Sequence, residues 1–267
     1  MPPRTGACRP WPLGTVRPAT ASYTGMMRLS VLVPAFNEAE GLSATLAAIR
    51  AAMAVFDARG WATELIVCDN NSTDATADLA RAAGAAVVFE PVNQIARARN
   101  CAAAAATGDW LVFVDADSLP SAALFADVAD RIAGGRVLAG GSTVAMDDTR
   151  LVARAMVASW NWTSRLTRWA AGSFIYVRAD AFRAVGGFNQ ALYASEEIDL
   201  FRRLKKAARR AGLGIGILHR HPLHTSARKL RLYTWREMAV FMMRTALSGG
   251  RTLRRPDECF VWYDGRR

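Results

Sequence analysis

The sequence predicts an α/β protein built on a doubly wound, mostly parallel sheet with helices on both faces. Three observations carry this expectation. Short apolar runs alternate with Ala/Leu-rich segments between residues 28 and 120, which is the rhythm of repeated β-α units. The runs are nearly continuous in apolar residues, as strands covered on both faces are. Polar and acidic residues gather just after each run, at the carboxyl ends of strands where open α/β sheets bind ligands.

The elements follow in order. A first strand is expected over residues 29–34, closed by Pro34 and followed by Asn37 and Glu38. A helix over 40–58 ends near Gly60, and a second strand over 64–68 runs into Asp69-Asn70-Asn71-Ser72-Thr73-Asp74. A helix over 74–83 stops at Gly84, a third strand covers 85–90, and a helix covers 97–106. The next strand, 110–114, delivers Asp115 and Asp117. Residues i and i+2 of a strand point to one side, so these carboxylates can converge just beyond the sheet. Two close carboxylates repel unless a cation lies near. A plainer alternative is an acidic turn, with Asp117 and Ser118 capping the helix that follows Pro120. Capping alone also explains Ser72, Thr73 and Asp74, but not Asp69, which sits directly at a strand end.

Further along, Gly172 and Ser173 precede an apolar strand candidate over 174–177. Small residues there let a ligand approach the backbone; a bulge is the plainer reading. After Gly186-Gly187, the run Ser195-Glu196-Glu197-Ile198-Asp199 opens a helix. Ser195 as N-cap and acids in the first turn would explain it structurally. The three histidines, His219, His221 and His224, share one short basic window that matches no zinc spacing, and a plain basic loop is the simpler reading. Trp160, Trp162 and Trp169 can stack on a sugar or lipid, or simply pack.

The runs Ser30–Glu38, Leu65–Asp74, Ala96–Asn100 and Val112–Asp117, with Gly172–Phe188 and Ser195–Leu200 after them, resemble family 2 glycosyltransferases of the GT-A fold across residues 28–230. The resemblance implies a nucleotide-sugar donor, most simply a UDP-sugar, a divalent Mg2+ or Mn2+ ion, and inverting transfer to an acceptor hydroxyl or phosphate. By position, Pro34, Ala35, Asn37 and Glu38 match the loop bordering uridine and ribose. Asp69 matches the acid that accepts N3–H of the base, and Arg97, with Arg99 and Asn100 nearby, matches groups near the nucleotide. Asp115 and Asp117 match the DxD pair, the first toward ribose and metal, the second on the metal. Such an ion would neutralise charge on the departing diphosphate. Glu196 and Glu197 stand where the family has Glu-Asp, so Glu197 takes the base position with one extra methylene and Glu196 is the alternative. Gly172 and Ser173 match residues beside the sugar. His224 and Arg228 are the candidates from the late basic window for metal and phosphate.

Composition bounds the rest. A chain of 267 residues is long enough for one sizeable core. Residues 1–27 hold no acid and several prolines and read as a disordered extension rather than a signal peptide; the catalytic domain is expected over 28–232. The four cysteines, Cys8, Cys68, Cys101 and Cys259, show no paired spacing and are expected to be reduced, in a cytoplasmic protein. Residues 201–267 carry 17 Lys/Arg against 4 acids, which suggests an anionic partner. No nucleic-acid-binding signature accompanies that charge. The segment 233–247, within a basic C-terminal stretch 233–267, mixes Trp, Phe and Met with arginines, as a helix lying on the inner membrane face would. No apolar run approaches the roughly 20 residues that span a bilayer.

The expectation is therefore a metal-dependent, inverting transferase adding one sugar per encounter. The lack of a Gln-x-x-Arg-Trp pattern after the Glu pair argues against processive synthesis. The alternatives are a non-catalytic nucleotide-sugar binder of the same fold and a sugar nucleotidyltransferase. The latter would carry a Gly-rich loop where this chain has Pro-Ala-Phe-Asn-Glu.

Overall fold

The structure is a computed structural model that describes residues 15–16, 26–148, 150–226, 251–255 and 257–259. Most of the expected N-terminal extension, most of the basic segment 233–267, and Arg228 lie outside the described residues.

Apolar residues with alternating destinations build the centre of the sheet. In β1 (Arg28–Ala35) and β4 (Trp110–Val114), Val31, Val33, Val112 and Val114 face one core, and Leu32, Leu111 and Phe113 face the other. The first core is closed by α1 (Leu42–Asp57) and α4 (Ala122–Ala133) through Leu46, Phe56 and Phe125. The second is closed by α3 (Ile95–Ala105), α6 (Ala179–Ala184) and α7 (Glu196–Arg210) through Ala98, Ala102, Phe182, Leu200 and Leu204. Burial on both faces is why these strands read as unbroken apolar runs.

The remaining elements are β2 (Ala62–Asp69), α2 (Thr76–Ala82), β3 (Ala86–Phe89), β5 (Ser118–Leu119), β6 (Val137–Met146), α5 (Leu151–Thr167), β7 (Phe174–Arg178) and β8 (Gly214–Thr225). They complete an eight-stranded sheet in the order β3-β2-β1-β4-β7-β6-β8-β5. The first four strands are parallel neighbours, as expected. The second half is mixed: β7 runs antiparallel to both β4 and β6, while β6 and β8 are parallel.

The antiparallel β4–β7 pairing has a direct consequence. Val114 lies opposite Phe174, so the start of β7 meets the end of β4, and Asp115 N–H donates to Ser173 O at 3.1 Å. Close approach of β6 to its neighbours depends on glycine. A Cβ at Gly140 would sit 2.1 Å from Gly216 O and 2.3 Å from Tyr176 Oη, so a side chain there has no space.

Four local expectations change. The acidic pair lies on a turn after β4, with Ser118 N–H donating to Asp115 O at 3.1 Å, so the two acids are placed by a turn rather than by strand alternation. Ser121, not Asp117 or Ser118, caps α4, accepting from Leu124 N–H. Ser195 does not cap α7: it is left-handed, with φ 61°, and its side chain makes no cap hydrogen bond. The histidine window is a strand, β8, not a loop. Cys101 is disulfide-bonded, whereas Cys68 and Cys259 are free, which corrects the expectation of four reduced thiols.

Candidate active site

The loops after β1 and β2 are stitched together by side chains. Asn37, in the left-handed region at φ 49°, donates its N–H to Ser72 Oγ at 2.9 Å and accepts Thr73 N–H on Oδ1 at 2.7 Å. Glu38 N–H donates to Thr76 Oγ1 at 2.8 Å. The polar cluster 72–76 therefore serves the neighbouring loop as well as the start of α2. Pro34 and Ala35 end β1, with Ala35 in register with Asp69. Asp69 is buried, and one carboxylate oxygen accepts Ser72 N–H at 2.9 Å. The other oxygen leaves an acceptor for a ligand.

Arg97 and Arg99 diverge. The Arg97 guanidinium pairs with buried Glu90 at 3.0 Å and reaches Gln190 Oε1 at 3.3 Å, which ties the end of β3 to the loop before α7. Arg99 is buried at the centre. It donates to Glu196 Oε1 at 2.6 Å, Asp115 Oδ1 at 2.8 Å and Gly172 O at 2.8 Å, and its guanidinium lies 5.2 Å above the Phe188 ring. Burial opposes its charge, but Asp115 and Glu196 more than offset that and raise its pKa above the ordinary arginine value. Gly172 is small because a Cβ there would come within 3.1 Å of Arg99 Nη2. Sequence reasoning gave Arg99 less weight than this. The signal was its helical spacing: it lies three residues after Ala96 and three before Ala102, on the buried small-residue face of α3.

This arrangement separates the two glutamates. Glu196 is buried and committed to Arg99. Glu197, on the next position of α7, is half-buried. Its carboxyl is pushed up to about 8, first by burial and then by the Glu196 charge, against the smaller lowering effect of its backbone hydrogen bond and Arg99. The strained Ser195 backbone immediately before them fixes how α7 presents both acids, and such outliers concentrate at functional sites.

Asp115 and Asp117 are both half-buried, with Ala116 between them in the core. Asp117 is anchored through its carbonyl, which accepts Ser226 N–H at 3.1 Å. Among the described residues no group of three His, Cys, Asp or Glu side chains could hold a metal ion. His224 is exposed on β8, opposite Leu119, and it does not complete such a group with the acidic pair. The oxygen-only pair still suits a hard cation such as Mg2+ or Mn2+, whose other ligands would come from donor phosphates and water. Arg99 is the only cation within hydrogen-bond reach of Asp115 among the described residues.

Residues 30–183 match the sequence model of Glycosyl transferase family 2. The chain belongs to glycosyltransferase family 2. The match includes β1, the acidic turn and the Gly172 loop, and the fold is that of the family's GT-A members. An uncharacterized glycosyltransferase of Mycobacterium tuberculosis is 39% identical over 89 residues, 33% of this chain and 36% of its own length. The alignment thus spans about a third of that relative. A mannosyltransferase from Pyrobaculum calidifontis, solved with GDP-Man and Mn2+, superposes with a TM-score of 0.60 at 22% identity, covering 86% of this chain and 65% of the other. S. aureus TarS gives 0.60 at 19% identity, covering 76% and 61%. Glucosyl-3-phosphoglycerate synthase of M. tuberculosis, solved with Mn2+, UDP and phosphoglyceric acid, gives 0.55 at 24% identity, covering 83% and 78%. These likenesses establish the fold of this family member.

Proposed function

We propose that this chain transfers one sugar from a UDP-sugar to an acceptor hydroxyl, with inversion, using Glu197 as general base. The observation that carries the reading is the division of labour at the start of α7. Arg99 holds Glu196 in an ion pair at 2.6 Å, leaving Glu197 with a carboxyl pushed up to about 8. A base poised near neutral pH is suited to take a proton from an acceptor oxygen as that oxygen attacks.

The donor would lie across the carboxyl ends of β1, β2 and β4. Asp69 offers its second oxygen to uracil N3–H, and the Asn37–Glu38 loop, held by Ser72 and Thr76, borders the ribose. Asp115 and Asp117 would hold Mg2+ or Mn2+. When bound, that ion supplies Lewis-acid stabilisation of the leaving diphosphate. Asp115 is oriented for this by Arg99 and by its own N–H bond to Ser173 O. Gly172 lets Arg99 pack against the loop before β7, Ser173 beside it would border the transferred sugar, and the attacking oxygen loses its proton to Glu197. UDP as nucleotide rests on Asp69 and on the family's loop; S. aureus TarS was solved with UDP and with UDP-GlcNAc.

The test is release of nucleoside diphosphate from a panel of UDP-, GDP- and dTDP-sugars with Mn2+ or Mg2+ and candidate acceptors, alongside Asp117→Ala and Glu197→Gln. Metal-dependent release from one donor, lost in both variants, is the expected result. Saturable donor binding without release under any acceptor would replace the transferase with a non-catalytic binder. Absence of both binding and release would overturn the donor site.

A further inference from the structure

Helix α5 presents an apolar face to solvent. Among the described residues, eight large apolar side chains are exposed, and five of them lie on this helix: Leu151 (79%), Val152 (64%), Met156 (39%), Trp162 (68%) and Leu166 (68%). At 100° per residue, Leu151, Ala155, Trp162 and Leu166 form one stripe, with Val152 and Met156 beside it. The opposite side holds the helix to the protein. Ala153 and Ser164 are buried there, and the Asn161 amide clamps β6, accepting Val144 N–H and donating to Val144 O, each at 2.9 Å. The apolar stripe is therefore a second face of α5, distinct from the one packed on β6.

The second observation is charge. Arg154 and Arg165 are exposed on α5, and Arg168 ends it in a left-handed turn. From α7, Arg202 and Lys205 lie 5.6 Å and 5.2 Å over the Trp169 ring, one residue further on, and Lys205 also donates to Thr167 O at the helix end. The Lys205 ammonium is pushed below its ordinary value by burial and then by Arg168, Arg209 and Arg202, so these four cations crowd one place. No carboxylate among the described residues pairs with Arg154, Arg165, Arg168, Arg202, Lys205 or Arg209.

We infer that α5 and the cation cluster at its C-terminal end form a docking face for an anionic phospholipid bilayer. A Trp/Leu/Met/Val stripe flanked by arginines is the composition of a helix lying in the headgroup plane, and arginine stems can extend along the apolar layer while their heads stay at the phosphates. No helix of the described residues is long and apolar enough to cross a membrane, so this face rests on the bilayer. A second copy of the chain is disfavoured as occupant, since stacking two such faces would bring Arg154, Arg165 and Arg168 of both copies together. Because α5 leads within five residues to Gly172, docking would set the sugar side of the crevice beside the lipid surface.

The experiment needs no donor and is independent of the transferase reading. Full-length protein is sedimented with phosphatidylglycerol or phosphatidylcholine vesicles at low and high salt, and its mass is measured by light scattering. Expected is retention on phosphatidylglycerol at least tenfold stronger than on phosphatidylcholine, weakened by salt. The double variant Trp162→Ser/Leu166→Ser, both at exposed positions, should lose at least tenfold with an unchanged melting temperature, and Arg165→Glu/Arg209→Glu should lose the lipid discrimination. Three results would overturn the inference: no retention on either vesicle, full retention of the Trp162/Leu166 variant, or a dimer that this variant dissolves.

Discussion

Replacing Arg99 with methionine tests the centre of the site most directly. The substitution keeps an unbranched apolar stem in α3 and removes one guanidinium from three acceptors: Glu196 Oε1, Asp115 Oδ1 and Gly172 O. Glu196 is buried, so its charge loses its partner without gaining water. Breaking a buried pair by deleting one member costs about 3–5 kcal/mol. In a protein of this size each kcal/mol shifts the melting midpoint by about 2–4 °C, which gives an expected drop of roughly 6–20 °C at neutral pH. Thermal unfolding by circular dichroism across pH is the assay. The sign of the pH effect is fixed: a buried carboxylate left without its cation favours its neutral form, so the variant's deficit should shrink as pH falls. Arg99→Lys should recover only part, because one ammonium lacks the fork that spans both carboxylates. A methionine variant melting within about 2 °C of wild type, or a deficit that widens in acid, would refute the reasoning.

Three other substitutions test the same geometry. Glu197→Gln should lower kcat by about 10²–10⁴-fold with donor affinity retained, as read by product formation and calorimetry. In the ligand-free protein, the neutral form of Glu197 is favoured, so its stabilising effect is full below the ordinary value of 4.5 and lost as pH rises through about 8; Glu197→Gln should flatten that part of the melting profile. Asp69→Asn should weaken UDP binding by about tenfold or more, because the amide that keeps its oxygen on Ser72 N–H turns an NH2 donor toward uracil N3–H; unchanged affinity would remove Asp69 from the nucleotide site. Gly172→Ala should cost about 1–3 kcal/mol in thermal unfolding, since the new methyl meets a guanidinium that three hydrogen bonds prevent from yielding.

The first half of the fold was readable because its signals are local. β1, β2 and β4 announce themselves as apolar runs, and each is followed closely by the polar residues that form the crevice. The second half depends on distant pairing. Nothing local in Phe174–Arg178 states that it runs antiparallel to β4, and the His219–His224 window looks like a basic loop until β6 supplies its partner. Candidate residues were legible as types but not always as partners. Asp115 was expected to face ribose and metal, yet its nearest charge is Arg99. The choice between Glu196 and Glu197 could not be made from a Glu-Glu dipeptide; it needed Arg99, almost a hundred residues earlier, to occupy one of them. Ser195 fits the sequence pattern of a cap, but its left-handed backbone makes that role unavailable.

The three bonds of Arg99 also limit how this protein can be recombined. Its partners sit on the turn after β4, on the loop before β7 and at the start of α7, so one side chain from α3 joins the first, parallel half of the sheet to the elements that follow it. A chimera taking residues from 168 onward from another member would import a new loop and a new helix start around an unchanged arginine. Unless the graft brought a carboxylate at 196 and a glycine at 172, that arginine would be stranded, and the hybrid would fail at the seam before its specificity could be read. Exchange of the later segment between relatives should therefore succeed when Arg99 travels with it or when the graft supplies both of those partners.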